Sequence, residues 1–196
     1  LTVDNFGVEI PVEDLANTYD YTWNDFTNAV GAGVGYSTRN FSMDFNFNLN
    51  NTIQKDDEFY PEAYSSDRNY WGILSMFNLR YKRLMAKASV SSSVPSVEQT
   101  RNRISDTNPL ALMGGNPNLK SAYNSNLNLI YAATLAKGMG NIMATFSADA
   151  GFRNIVSKTR YFSENTVLSD WDGYEAMAGS RLYTYENATT PSYRLN

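Results

Sequence analysis

Residues Phe41–Asn50 read FSMDFNFNLN. Phe41, Met43, Phe45, Phe47 and Leu49 alternate without a break with Ser42, Asp44, Asn46, Asn48 and Asn50. Successive side chains of a strand point to opposite faces, so this period of two predicts a strand with one apolar and one wet face. Immediately upstream, from about Tyr19 to Ser37, one parity carries Phe26, Val30, Ala32, Val34 and Tyr36, and the other Thr27, Ala29, Gly31, Gly33, Gly35 and Ser37. A polar turn at Thr38-Arg39-Asn40 joins the two runs as a hairpin. Pairing Tyr36 with Phe41 sets Val34 against Met43, Ala32 against Phe45 and Val30 against Phe47, which puts every apolar residue on one face.

The same test extends along the chain. An acidic, aromatic loop is expected from Lys55 to Arg68, then a strand from about Tyr70 to Tyr81 with Trp71, Ile73, Phe77 and Leu79 on one parity. After a tight turn at Lys82-Arg83, Leu84, Ala86, Ala88 and Val90 return on the same face, with Tyr81 opposite Leu84. A loop rich in Ser, Asn and Pro occupies roughly Ser91 to Ser121. A fifth strand follows with Tyr123, Leu127, Leu129, Tyr131, Ala133 and Leu135 on its apolar side. A turn around Lys137-Gly138-Met139-Gly140 leads to Ile142, Ala144, Phe146, Ala148, Ala150 and Phe152, and pairing Leu135 with Ile142 brings Tyr131 against Phe146. This strand is expected to run on towards Phe162, with a long loop over 163–180 and a seventh strand starting near Arg181-Leu182-Tyr183. Residues 1–18 read as an irregular entry segment.

Composition narrows the function. The chain has no histidine and no cysteine, which removes the commonest metal ligand, the commonest general base, disulfides and thiolate chemistry. No Ser or carboxylate set has catalytic spacing, so an enzyme is not expected. A net charge of -4 gives no basic footprint for nucleic acid. Aromatics reach 14% while charged residues are only 18%, below the roughly 25% usual in soluble domains.

Short turns alternate with long loops between strands longer than the 5 or 6 residues typical of soluble sheets. That arrangement, with aromatics near strand ends (Tyr19, Tyr21, Trp23, Tyr36, Phe41, Trp71, Tyr81, Tyr123, Tyr161, Phe162), matches an outer-membrane barrel with aromatic girdles. The predicted fold is therefore all-β, a transmembrane antiparallel up-and-down β-barrel of which residues 1–196 supply about seven strands as part of a single barrel domain. A soluble sandwich or lipocalin-like barrel alternates for the same reason and is the competing architecture.

The segment from Ser93 to Tyr131, SVPSVEQTRNRISDTNPLALMGGNPNLKSAYNSNLNLIY, carries a more specific signal. Pro95, Ser96 and Gln99, then Asp106, Asn108, Pro109, Leu110, Leu112, Gly115, Asn116, Pro117, Leu119 and Lys120, precede a strand alternating Asn with apolar residues. This pattern resembles the signature of the TonB-dependent-receptor-like outer-membrane β-barrel family of Bacteroidota. The resemblance implies an interior or late portion of a larger barrel. The family's signal peptide, plug and closing strand lie outside these residues.

What the resemblance implies is a receptor or transporter in the bacterial outer membrane, taking up a polar nutrient such as a glycan or peptide. The alternative is a structural or interaction barrel in an outer-membrane complex, without uptake. The implied partners are outer-membrane lipid, the rest of the barrel and a plug domain, a surface lipoprotein and a TonB-type energy transducer; no cofactor is implied. The parities opposite the apolar ones would face the lumen, with Asp44, Asn46, Asn48, Asn50, Asn78, Arg80, Lys87, Asn124, Asn126, Asn128, Asp149 and Arg153 as candidates. Such residues suit hydrogen bonding to a plug or polar solute, or simply solvate the interior. Gly31, Gly33 and Gly35 suit either close approach by a plug or strand curvature. The loops at 55–68 and around Trp171, Asp172 and Tyr174 are placed to meet ligand. The run Asp56-Asp57-Glu58 fits calcium chemistry or a solvated acidic loop.

Overall fold

The computed structural model describes residues 2–3, 9–10, 20–60, 64–134, 140–171 and 173–196. Its centre is a seven-stranded antiparallel sheet in which consecutive strands are neighbours. After a two-residue pairing of β1 (Thr2–Val3) with β2 (Glu9–Ile10), the sheet is built from β3 (Asp20–Ser37), β4 (Phe41–Tyr60), β5 (Tyr64–Tyr81) and β6 (Leu84–Ser93). The chain then leaves through a short helix, α1 (Val97–Thr100), and the strands β7 (Ile104–Ser105) and β8 (Ala111–Gly114). It rejoins the sheet as β9 (Ala122–Thr134) and β10 (Asn141–Phe152).

From β10 it leaves again as β11 (Ile155–Tyr161), then β12 (Thr166–Leu168), a 3-10 turn at Ser169–Trp171, β13 (Tyr174–Ala176) and β14 (Arg181–Asn187). It returns as β15 (Ser192–Leu195) against β10. Strand order across the large sheet is β15-β10-β9-β6-β5-β4-β3.

Face assignments hold in all three hairpins, but two registers move. Tyr81 pairs with Leu84, Leu79 with Ala86 and Phe77 with Ala88, as the alternation predicts. In the first hairpin Tyr36 pairs with Met43, not Phe41, and Val34 with Phe45. The turn keeps its length but its centre moves one residue towards the C-terminus, where the Thr38 amide donates to the Phe41 carbonyl at 2.6 Å. In the third hairpin Ala133, not Leu135, faces Ile142, and Leu129, not Tyr131, faces Phe146. Residues 135–139, including Leu135 and most of the expected turn, lie outside the described residues, as does Tyr19. Both slips are by two residues, which alternation cannot detect because a shift of two returns each side chain to its own face.

Three expected loops or strands are corrected. Residues 55–60 and 64–68, expected as a loop, continue β4 and β5 and pair without a register break as far as Glu58 opposite Tyr64, while 61–63 lie outside the described residues. The strand after Asn141 does not run to Phe162: Arg153 takes a left-handed φ of 55° and breaks it into β10 and β11. The strand at Arg181 is not the seventh of the large sheet. It pairs antiparallel with β11 and parallel with β8, completing a four-stranded sheet β11-β14-β8-β7. The seventh strand of the large sheet is β15.

The apolar core belongs to the small sheet. Ile104, Leu112, Phe162, Leu168, Ala176 and Leu182 are buried together, with Trp171 and Tyr174 packed against them. The large sheet has no comparable layer among the described residues. Its apolar face is open, with Val30 70%, Val34 60% and Tyr36 59% exposed.

Candidate functional site

The candidate site is the polar face of the large sheet. The registers align its residues in rows that cross the strands. One row reads Gly35, Asp44, Asn78, Lys87, Asn128, Ser147; the next reads Gly33, Asn46, Met76, Ser89, Asn126, Asp149, Arg194. Asp44, Asn46, Asn48, Arg80, Lys87, Asn124, Asn126 and Asp149 therefore share one face. Arg153 does not belong with them, because it sits past the end of β10 at the left-handed kink, its guanidinium 5.2 Å from the centre of the Phe152 ring.

The glycines of β3 have a reason that neither plug contact nor curvature supplies. A Cβ at Gly31 would run into the Asn48 side chain, one at Gly33 into Asn46, and one at Gly35 into Asp44. The polar side chains of β4 lie across the neighbouring strand, in space that a Cβ on β3 would occupy.

Two concavities indent this face. One, of about 320 Å³, is lined by Ser89, Ser91, Asn124, Asn126, Asp149, Ser192 and Arg194. Asn126 donates to Asp149 Oδ1 at 2.7 Å, and Arg194 pairs in register with Asp149 on the next strand. Amides, hydroxyls, one carboxylate and one guanidinium together offer donors and acceptors to a polar solute. The serines, Ser192 and Arg194 escape sequence reading, because β15 is only four residues long and carries no alternation signal beyond Tyr193 and Leu195. Leu74, Met76, Met85 and Ile130 also lie on this face, which is less uniformly polar than the Asn-rich runs suggest.

The second concavity, of about 430 Å³, lies towards the long-loop end between β3, β4 and the segment leading into α1. Here the polar parity of β4 continues as Thr52, Gln54, Asp56 and Glu58, all buried. What buries them is the returning chain. Gln54 Nε2 donates to the Pro95 carbonyl at 3.2 Å, and Arg68 Nη2 to the Thr100 carbonyl at 3.3 Å. Arg101 Nε lies 3.0 Å and Arg103 Nη1 3.7 Å from the Glu58 carboxylate. Strand geometry divides Asp56-Asp57-Glu58, with Asp57 on the opposite face from its neighbours. Among the described residues no group of three such side chains is placed to hold a metal ion.

The signature residues form a structural joint. Asn108 Oδ1 accepts from the Leu110 amide, and Asn116 Oδ1 from the Asn118 amide, so each Asn-Pro step is an Asx turn. Asn116 Nδ2 donates to the Tyr185 carbonyl at 2.9 Å, tying the loop to β14. Leu119 is buried, while Leu110 is 58% exposed. A Cβ on Gly115 would meet backbone atoms of Arg101 and Glu98, so this position requires glycine. Pro109 and Pro117 are the residues after the turn asparagines and hold them extended.

Trp171 and Tyr174, expected at a ligand-facing loop, instead support the small core; Asp172 lies outside the described residues. Burial pushes the Tyr174 phenol above its usual range, and the Asp106 carboxylate that accepts its hydrogen bond at 3.2 Å pushes the same way. Comparison with protein-family models, curated proteins and solved structures yields no match, so the site stands on its own geometry.

Proposed function

We propose that this chain is a wall segment of an outer-membrane β-barrel that acts as a receptor or transporter for a polar nutrient such as a glycan or peptide. The observation that carries the reading is the exposed apolar face of the large sheet opposite a polar one. A soluble sheet hides its apolar face; here Val30, Val34, Tyr36, Tyr131, Ile142 and Tyr193 are all exposed. Contiguous apolar surface of this kind marks contact with a partner or with lipid.

Its dimensions suit lipid. The apolar parity runs from Phe41 to Leu49 on β4 and from Trp71 to Tyr81 on β5, then gives way to Asn51, Lys55, Asp67 and Asn69. A tilted strand crosses the hydrocarbon layer in roughly 9–11 residues. Beyond the band, the Lys55–Asp67 ion pair at 3.7 Å sits in water on the outer side of the β4–β5 extension. The polar face then lines the lumen and the concavity at Asp149 and Arg194 meets solute. The edges of the described sheet, β3 and β15, are completed by further strands, since unpaired backbone groups in lipid cost several kcal/mol each. Partners under this reading are lipid, the rest of the barrel with its plug, a surface lipoprotein and an energy transducer.

The test uses the absence of cysteine. Single cysteines are introduced at Val34 and Asn46 of the full protein in outer membranes. A water-soluble maleimide is expected to label Asn46→Cys and spare Val34→Cys until detergent or denaturant is added. Equal labelling of both positions in intact membranes would sink the barrel. Uptake is tested separately with labelled oligosaccharides and peptides, and loss of uptake in Asp149→Leu without loss of assembled protein is the expected result.

A further inference from the structure

The segment from Val94 to Arg103 does not stand clear of the sheet as an outward loop. It lies on the polar face. The register of β4 with β5 is unbroken from Phe41 to Glu58, so Gln54, Asp56 and Glu58 share the face of Asp44, Asn46 and Asn48. These are the residues the segment buries: Gln54 is 3%, Asp56 1% and Glu58 9% exposed. Pro95, within the segment, is itself fully buried. A capping box at Ser96 and Gln99 starts the single turn of α1, and the Arg101 guanidinium then stacks 3.9 Å from the centre of the Tyr21 ring on β3. The segment thus spans from the β6 end back across β5 and β4 to β3.

We propose that Val94–Arg103 is a constriction folded against the inner wall of the mouth, latched through Glu58, which limits the size of solute reaching the polar face below. The inference rests on the barrel reading given above. The latch is specific. Arg101 and Arg103 converge on one buried carboxylate, the buried Asp56 side chain lies on the same face of β4, and Arg68 holds the Thr100 carbonyl from β5. Removing the Glu58 charge takes away the carboxylate that both guanidinium groups share in a largely buried place, which favours release of the segment. A cleft of about 430 Å³ remains between segment and wall, lined by Trp23, Thr27 and Gln54. It admits small solutes only.

The experiment places a reporter cysteine at Asn48, on the polar face below the segment, in the full protein in outer membranes. Labelling rates are compared for a small methanethiosulfonate and for a maleimide carrying a polymer of several kilodaltons. With the segment latched, the small reagent is expected to react readily and the large one slowly. Adding Glu58→Gln should speed the large reagent by about tenfold, as a shift in the open population does, and leave the small one unchanged. Replacement of Val97–Thr100 by two glycines should do the same and decides the matter should Glu58→Gln fail to assemble. Equal rates for both reagents before any latch change, or no acceleration after either change, overturns the constriction. A control cysteine at Val34 separates the two levels. If it labels as fast as Asn48→Cys with water-soluble reagent, the barrel reading falls and the constriction falls with it.

Discussion

Lys120 and Asn187, far apart in sequence, pair as if they were two strands. The Lys120 amide donates to Asn187 Oδ1 at 2.8 Å, and Asn187 Nδ2 donates back to the Lys120 carbonyl at 2.9 Å. The same Nδ2 group reaches the Arg153 carbonyl at 2.9 Å. One side-chain amide therefore joins three passages between the two sheets: the entry to β9, the exit from β10 and the end of β14. The lysine of the signature works here through its backbone, not its ammonium.

Asn187→Ala removes three hydrogen bonds at partly hydrated positions and is expected to destabilise the small sheet by about 1–3 kcal/mol. Hydrogen exchange at the Lys120 amide should rise accordingly, while exchange in β4 and β5 is unchanged. Asn187→Asp keeps the acceptor for the Lys120 amide but sets a carboxylate oxygen against the Lys120 and Arg153 carbonyls, so it should cost at least as much as Asn187→Ala.

Gly115→Ala forces a methyl group onto the backbone of Arg101 and Glu98, which cannot yield as a side chain can. The expected cost is about 2–3 kcal/mol, at the upper end of overpacking effects. The nearby bond from the Asn116 amide to the Gln99 carbonyl should lengthen or break, and proteolysis between residues 97 and 120 should reveal it.

Gly33→Ala meets the Asn46 side chain, a flexible partner. A smaller cost of about 1 kcal/mol is expected. Adding Asn46→Ala should recover most of it, and a double-mutant cycle by denaturant titration measures the coupling.

Phe47→Lys tests the apolar face. If the band meets hydrocarbon, a lysine near its middle costs about 2–4 kcal/mol and lowers the yield of assembled protein. Asn126→Lys, on the other face beside Asp149, should assemble normally. Equal yields for the two variants would count against lipid contact.

Tyr174 sets a pH limit on the small sheet. Its folded pKa is raised by burial and by the Asp106 carboxylate, so the folded state holds the phenolic proton more tightly than the unfolded chain. That stability is fully present below about pH 10, the unfolded value, and is lost as pH rises through the folded pKa. Thermal unfolding above pH 10 should show a steeper decline for the parent protein than for Tyr174→Phe.

Much of the large sheet is legible in the sequence. The unbroken alternation at Phe41–Asn50 assigns ten side chains to two faces, and the returns at Leu84–Val90 and Ile142–Phe152 do the same. The candidate polar face is legible as far as the Asn-rich runs extend. Its continuation at Thr52, Gln54, Asp56 and Glu58 kept the same parity but was masked by a charge-rich composition that reads as a loop. Burial alternates with period two over 51–58, although charged residues occupy both faces there. Arg194 and Ser192 are beyond such a test, since a four-residue strand adds too few positions to show a period.

The sequence by itself determined which residues share a face, because a side chain's side of a strand depends only on its own position in a local repeat. The tight turn at Lys82-Arg83 was legible too, and the two Asn-Pro steps marked their asparagines as extended and the loop as non-helical. Tertiary structure alone decided the two-residue slips at Tyr36 and Ala133, since either register satisfies the same faces. It alone decided the parallel pairing of Ala111–Met113 with Arg181–Tyr183, and the folding of Val94–Arg103 onto Gln54 and Glu58. Those choices depend on contacts between distant segments, where a carboxylate finds two guanidinium groups and an asparagine finds a lysine's backbone, and no local period encodes them.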